Sequence, residues 1–500
     1  MSSSQADRGD NTLPDAPPID GEEASDESPA TLVDNGGRKA DVKLEDLFND
    51  DDDSDDEFRS SSNDTGKVES SPPAAPIQAV PSAKYTDPEI MLAFYQRLFP
   101  FRYLFQWLNH SIKPSNDFAH REFAFTLQND AYLRYQSFPT GDLLRKQVLQ
   151  LNPSRFEIGP IYSTNPRDRK TLRKSTAFRP IAKELVFDLD LTDYDSIRTC
   201  CTKANICHKC WTFVSMAVKC VDASLRADFG FQHIMWVYSG RRGAHAWISD
   251  KRARNMDDAR RRALAGYLEV IKGGDQSGKK VNVKRPLHPH LARSLDILKE
   301  YFATAILEDQ DPFATHEGAE RLLNLLPDRS LTDALRKKWA ASPHRSSTYK
   351  WSDIDSVAKS GASKSLDGKA LLEAKQDIVL EYTYPRLDVE VSKKQIHLLK
   401  SPFVVHPGTG KVCVPIDLEK VEKFDPLGVP TVTELLGEID EFGQGMAGGE
   451  EEGVAGKKVA DYEKTSLKPY VEYFKRHVGE LLKAEQGGVK REREEDGMEF

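Results

Sequence analysis

Glu184-Leu-Val-Phe-Asp-Leu-Asp-Leu191 is an apolar run of strand length interrupted by two acids. Leu185, Val186, Phe187, Leu189 and Leu191 read as a buried strand. Strand alternation then sets Asp188 and Asp190 side by side on one face. Burying two carboxylates without partners is costly, and adjacent anions repel. A divalent cation answers both problems, and hard oxygen ligands of this kind suit Mg²⁺ or Mn²⁺. The same pair would also suit a strand end facing water, capping the turn-like Thr192-Asp193-Tyr194-Asp195.

A second segment adds anion-binding chemistry. The strand-like Ile234-Met-Trp-Val-Tyr238 runs into Ser239-Gly-Arg-Arg-Gly-Ala-His-Ala-Trp-Ile248. Two glycines bracket two arginines, with a hydroxyl before and an imidazole after. Glycine permits close backbone approach and positive φ; arginine offers a fixed fork of donors suited to phosphate. The alternative is a hairpin with a charged, solvated tip. A third segment, Tyr384-Pro-Arg-Leu-Asp-Val-Glu-Val391, alternates like an amphipathic strand, with Asp388 and Glu390 on the polar face. It leads into His397-Leu-Leu-Lys-Ser-Pro-Phe-Val-Val-His-Pro407.

Four of the six cysteines, Cys200, Cys201, Cys207 and Cys210, fall within eleven residues, spaced C-C-x5-C-x2-C. Thiols so close, behind a polar N-terminus without a secretory signal, read as tetrahedral zinc rather than disulfides. Cys220 and Cys413 read as core thiols.

Taken together, these segments resemble the small, catalytic subunit of the eukaryotic and archaeal DNA primase family, in its eukaryotic form. Further matches are Phe99-Pro-Phe-Arg-Tyr103, Arg121-Glu-Phe123, Leu133-Arg-Tyr-Gln-Ser-Phe138, Pro415-Ile-Asp417, Thr465-Ser-Leu467 and Pro469-Tyr470. The resemblance runs from about residue 85 to about 485. It implies a nucleotidyltransferase that makes RNA primers from NTPs on single-stranded DNA, with two Mg²⁺ or Mn²⁺ ions aligning the reaction. It implies Asp188, Asp190 and Asp388 as metal ligands, with Glu122 counted in the active site. Ser239, Arg241, Arg242, His245, Lys400 and His406 match triphosphate contacts. His397, Leu398 and Leu399 border them, and Arg134 is a nearby candidate. It further implies structural zinc on the four cysteines, a large iron–sulfur partner subunit, attachment to the DNA polymerase alpha complex, and a nuclear location. A related repair-type primase-polymerase and a zinc-stabilised, non-catalytic DNA-binding scaffold are the other two classes to weigh. The zinc motif and the segment from Thr465 to Phe474 oppose the first; the intact aspartates oppose the second.

The fold expected is α/β: a mixed-sheet primase core, with a sheet like that of RNA-recognition modules, an inserted helical lobe and a zinc motif. Residues 1–84 carry a net charge of −14 against −9 for the whole chain, leaving residues 85–500 at +5. Such a Ser/Pro/acid-rich stretch cannot bury enough apolar surface to fold. Within it, Leu44, Leu47 and Phe48 have helical spacing and could dock on a partner; a solvated acidic linker is the alternative. The catalytic core is expected over 85–255 and 381–436, with the zinc motif at 200–210. A mostly helical insert spans 256–380 and contains a Gly/Lys-rich loop at 272–280. A disordered linker is expected at 437–456, a closing helix at 457–485 and a disordered charged tail at 486–500. No apolar run reaches the length of a membrane span, so a soluble intracellular protein is expected.

Overall fold

Every β-pairing between adjacent strands runs antiparallel, and the strands fall into two sheets. The computed structural model describes residues 87–271, 281, 283–361, 365–447 and 459–496. The expectations for residues 1–84 and for the 272–280 loop lie outside these.

The strands are β1 (Arg121–Thr126), β2 (Tyr132–Gln136), β3 (Arg155–Tyr162), β4 (Pro180–Ala182), β5 (Leu185–Asp190), β6 (Ile234–Tyr238), β7 (Gly243–Ile248), β8 (Leu399–Lys400) and β9 (Pro415–Ile416). The first sheet has the order β2-β1-β3-β4, with β8 also pairing β3; the second has the order β5-β7-β6-β9. The helices are α1 (Pro88–Arg97), α2 (Phe101–Asn109), α3 (Asn116–Ala119), α4 (Gly141–Leu151), α5 (His208–Phe229), α6 (Lys251–Arg254), α7 (Asp258–Leu268) and α8 (Pro289–Tyr301). They continue with α9 (His316–Asn324), α10 (Arg329–Ala340), α11 (Ser347–Lys359), α12 (Gly368–Thr383), α13 (Glu390–Lys393), α14 (Val432–Ala447) and α15 (Lys468–Asp496). No helix among the described residues is long and apolar enough to cross a membrane.

The expected mixed sheet is corrected by this topology. The crossover helix α5 joins β5 to β6, which run in the same direction. The β6–β7 hairpin then folds back so that β7 inserts between them. The result is a split β-α-β unit whose neighbours are all antiparallel. Burial along β5 follows its sequence: Leu185, Val186, Phe187 and Leu189 are buried, whereas Asp188 and Asp190 are partly open.

Four further differences have local causes. The third segment is not a strand: Asp388 makes one isolated bridge to β5, and a helical turn, α13, starts at Glu390. The Asp388 carboxylate accepts the Glu390 amide at 3.0 Å, and Ser392 Oγ donates to the Val186 carbonyl at 2.6 Å. Capping and stitching to β5 thus override the alternation. The linker expected from 437 is helical through Ala447. Thr431 and Glu434 cap α14 reciprocally, each side chain accepting the other's amide, while Val432, Leu435 and Ile439 bury one face. The charged tail expected from 486 continues α15 to Asp496, through a run rich in the helix formers Lys, Arg and Glu. Finally, residues 256–380 carry helices α7 to α12 but are not set apart as a lobe; the described residues from 87 onward make one compact unit. Phe474 of α15 packs on Trp107 and Phe403, tying that helix to α2 and to the segment after β8.

Candidate active site

The site gathers where the β5 end of the second sheet meets β8 of the first. Asp188 lies opposite His245 in the β5–β7 register, and Asp190 lies opposite Gly243. Asp388 arrives from the end of α12. Pro385 stops that helix, and Tyr384 is buried with its hydroxyl on the Leu268 carbonyl at 2.9 Å. The Arg386 amide donates to the Tyr194 hydroxyl at 3.0 Å. The Asp388 amide then donates to the Asp188 carbonyl at 3.2 Å. Beside this junction lies a cleft of about 510 Å³ lined by Asp193, Glu269, Arg386 and Asp388.

The three acids strain one another electrostatically. Burial, and then the charges of Asp190, Asp388 and Asp193, push the Asp188 carboxyl up to about 8. Burial likewise raises Asp388, and raises Asp193 to about 6. Asp190 is turned aside: Arg242 Nε donates to its two oxygens at 2.8 and 2.9 Å, and the Thr192 amide and hydroxyl each donate to it at 2.8 Å. A guanidinium therefore stands where the donor set asks for a cation. Hard oxygens that repel without a positive charge between them fit a divalent ion.

Two glycines shape the hairpin. Gly240 has φ +86°, and a Cβ there would lie 2.6 Å from the His406 Cβ. A Cβ on Gly243 would lie 2.1 Å from the Leu189 carbonyl oxygen. Ser239 closes the turn, its Oγ accepting the Gly243 amide at 3.0 Å. Lys400 reaches across from β8, its Nζ 3.5 Å from the Ser239 carbonyl. Burial lowers Lys400 below the usual lysine range. Burial and the Lys400 charge hold His245 and His406 at about 3, so both imidazoles are neutral at physiological pH. His245 Nε2 lies 3.5 Å from Asp188 Oδ1.

The structure thus brings together Asp188, Asp190, Asp388, Ser239, Arg241, Arg242, His245, Lys400 and His406. Leu399 is buried in β8, and Leu398 and His397 are half-buried before it. Glu122 does not join the acids. It is fully buried in β1, with Oε1 accepting Arg134 Nε and the Tyr135 amide at 3.1 Å each and Oε2 accepting the Tyr162 hydroxyl at 3.0 Å. Its place is to hold Arg134, whose charge reaches His397.

Three residues not among the expected site residues stand here. Asp193 sits within the acid cluster, Arg155 adds positive charge beside Lys400 and His406, and Thr409 Oγ1 donates to the Gly240 carbonyl at 2.6 Å. Only Asp193 had a visible signal, two acids flanking Tyr194 just past the strand.

The four cysteines form a second centre. One Sγ from each of Cys200, Cys201, Cys207 and Cys210 lies within 4.8 Å of the others. Tetrahedral Zn–S bonds of about 2.3 Å place sulfurs roughly 3.8 Å apart, and Cys207 and Cys210 are already 3.9 Å apart. Arg198 Nη1 approaches the Cys210 sulfur at 3.8 Å and Gln310 Nε2 the Cys200 sulfur at 3.4 Å. Such donors suit thiolates. Among the described residues, the cysteines are the only set converged in this way.

The sequence profile of the DNA primase small subunit matches residues 187–418. The DNA primase small subunit of Schizosaccharomyces pombe is 55% identical over 428 residues, 83% of this chain and 93% of that protein. Its Saccharomyces cerevisiae counterpart is 46% identical, over 81% of this chain and 94% of its own length. The Drosophila melanogaster protein is 37% identical, over 82% and 96%. The chain belongs to the DNA primase small-subunit family. Apart from Glu122, Arg134 and Arg155, the residues of both centres of this primase chain fall inside the matched 187–418 segment.

Proposed function

We propose that this primase small subunit joins ribonucleotides on a single-stranded DNA template, forming phosphodiester bonds with release of pyrophosphate and so making RNA primers for replication. The observation that carries the reading is the Asp188–Asp388 backbone bridge. It sets three carboxylates beside a hairpin and a lysine made for phosphate.

Asp188, Asp190 and Asp388 would hold Mg²⁺ or Mn²⁺. Such ions supply charge neutralisation and alignment of the 3′-oxygen and the triphosphate. The chain's own contribution is positioning. Arg241, Arg242 and Lys400 bind the triphosphate, where negative charge grows on the leaving pyrophosphate. Arg242, now on Asp190, would be free to pair with the nucleotide's phosphates where a cation neutralises the acids. His245 and His406, held neutral, orient phosphate oxygens by hydrogen bonding without adding charge. Ser239 fixes the turn that presents them. Leu398 and Leu399 wall the site, and Glu122 sets Arg134 beside His397.

Zinc on Cys200, Cys201, Cys207 and Cys210 is structural, because four protein ligands leave no open position. The split β-α-β sheet is of the kind found in RNA-recognition modules. The partners are a large iron–sulfur subunit and the DNA polymerase alpha complex, in the nucleus. Primer synthesis on poly(dT) with ATP and Mg²⁺, with and without a large subunit, tests the reading. Ribonucleotide-dependent products that start without a primer support it; incorporation of dNTPs only, or none at all, overturns it.

A further inference from the structure

The segment between β3 and β4 takes no part in the chemistry above. Asn165-Pro-Arg-Asp-Arg-Lys-Thr-Leu-Arg-Lys-Ser-Thr-Ala-Phe-Arg-Pro180 holds six basic residues and one acid. It is a loop closed at its base: the Ser163 amide donates to the Arg179 carbonyl at 2.9 Å and Ser163 Oγ to the Ala177 carbonyl at 2.6 Å. It crosses to β2, where Asn165 Oδ1 accepts the Ser137 hydroxyl at 2.7 Å.

Its cations lie among aromatic rings. Phe178 stacks on Tyr162 at 4.0 Å and 9°, and Tyr135 stands 6.1 Å from Phe178. Arg169 lies 3.9 Å over the Tyr135 ring, Arg134 4.7 Å from the same ring, and Arg167 4.8 Å over Phe138. Arg173, Lys174 and Arg179 are exposed and make no ion pair among the described residues.

The loop is continuous with the active site. Its aromatic cluster touches Arg134, Arg134 acts on His397, and His397 enters the β8 strand that carries Lys400. A triphosphate is already served by the hairpin and Lys400. A line of cations running on past Arg134 fits a longer anion with repeated phosphates. Aromatic faces set between the cations favour one that also carries bases over an acidic protein.

We propose that the loop from Pro166 to Arg179 is the tract that binds the template single strand on its way to the acid cluster. The proposal rests on the polymerising function put forward above. Its test keeps the two apart.

The full-length chain is compared with an Arg173→Gln/Lys174→Gln/Arg179→Gln variant and with a control carrying Arg329→Gln, Lys337→Gln and Lys359→Gln, exposed cations on α10 and α11. Binding of fluorescein-labelled oligo(dT) is followed by anisotropy across a salt series. Losing three phosphate contacts should weaken binding about 10-fold or more at low salt and flatten the slope of log K against log salt by about 2. Melting temperature and the KM for NTP at saturating template should stay unchanged, and the control should bind normally. Asp388→Asn should bind oligo(dT) like the parent chain while failing to incorporate. If the parent chain itself incorporates no nucleotide, the polymerase reading fails and the loop result stands alone. Equal affinity and salt slope in the loop variant, an equal loss in the control, or weakening on an RNA–DNA duplex but not on oligo(dT) would each overturn the template assignment.

Discussion

The Asp388 amide donates to the Asp188 carbonyl at 3.2 Å, although two hundred positions separate them in the chain. This bond places a third carboxylate at the end of β5 without a third strand. It also adds the Asp388 charge to the burial and the Asp190 charge that already raise the Asp188 carboxyl. The backbone fixes the acids as neighbours, and only a cation relieves them.

Asp388→Ala should therefore reduce incorporation by more than about 10³-fold while the fold persists, because losing one member of a cooperating set costs nearly as much as losing all of it. Combining it with Asp188→Ala should add little. Without added metal the single variant should melt no lower than the parent, since a repelling charge is gone. Near-normal activity in single-turnover assays would remove Asp388 from the ligand set. Glu390 should not substitute for it: that side chain lies on α13, paired with Lys393 at 2.5 Å.

Arg242→Ala separates two roles of one side chain. The KM for NTP should rise about 10-fold or more and turnover should fall, because the guanidinium is lost where charge develops. The variant should bind Mn²⁺ at least as tightly as the parent without nucleotide, because Asp190 loses its present partner. Oligo(dT) affinity should stay unchanged. Normal NTP kinetics with weakened DNA binding would instead place the hairpin on the template.

How much of this was legible in the sequence depended on the range of the interactions. Asp188 and Asp190 were readable because strand alternation is local, and the Gly-Arg-Arg-Gly turn because glycine spacing is local. The place of Asp388 was readable only through the family resemblance. Its surroundings were misjudged because the alternation of Leu387, Val389 and Val391 mimics a strand, whereas a side-chain cap and the Ser392 bond to Val186 make a turn. Strand β3, central in its sheet, went unseen because Gly159-Pro160 breaks the strand signal. The structure accommodates that pair at an irregularity in register with β1, where Gly159 leaves room for Glu122. Glu122 was assigned to the site only through the family resemblance, because its burial and its partner Arg134 are tertiary facts.

Zinc should be found at about one ion per chain when the protein is purified without chelators. Cys207→Ser should lower soluble yield and melting temperature before it changes chemistry, since Cys207 also begins α5, the crossover helix of the second sheet. Metal analysis showing no zinc, or an unaltered melting curve for Cys207→Ser, would count against a structural metal.

Gly243→Ala should unfold the hairpin locally. The added Cβ would sit 2.1 Å from the Leu189 carbonyl oxygen, which is backbone of the paired strand and has no freedom to yield. The β5–β7 register would have to open at Asp190. The variant should therefore lose NTP binding together with a drop in melting temperature. Gly266→Ala, on α7 with nothing within 4 Å of the new methyl, should instead be neutral or slightly stabilising. Equal melting temperatures for the two variants would show that the strand pair is looser than its geometry implies.

The buried pair behind β5 sets the response to acid. Arg121 donates to both oxygens of Glu184, at 2.7 and 3.0 Å, and His110 Nε2 lies 3.1 Å from Oε1. Burial alone would raise the Glu184 carboxyl, but the Arg121 charge and the His110 hydrogen bond outweigh it and hold it well below the usual range. A carboxyl depressed in the folded state binds fewer protons there than in the unfolded chain. Its stabilising contribution is then complete above the unfolded pKa of about 4.3 and is lost as pH falls from there through the folded value. Thermal melts between pH 7 and pH 3 should show stability falling steeply only below about pH 4.5. Glu184→Gln should flatten that fall and cost about 3–5 kcal/mol at pH 7, since it leaves the Arg121 guanidinium buried without a counter-charge. An Arg121→Met/Glu184→Leu double variant should recover part of that loss, because an apolar pair leaves no charge unpaired. If Glu184→Gln keeps the parent's steep acid limb, some other carboxylate governs it.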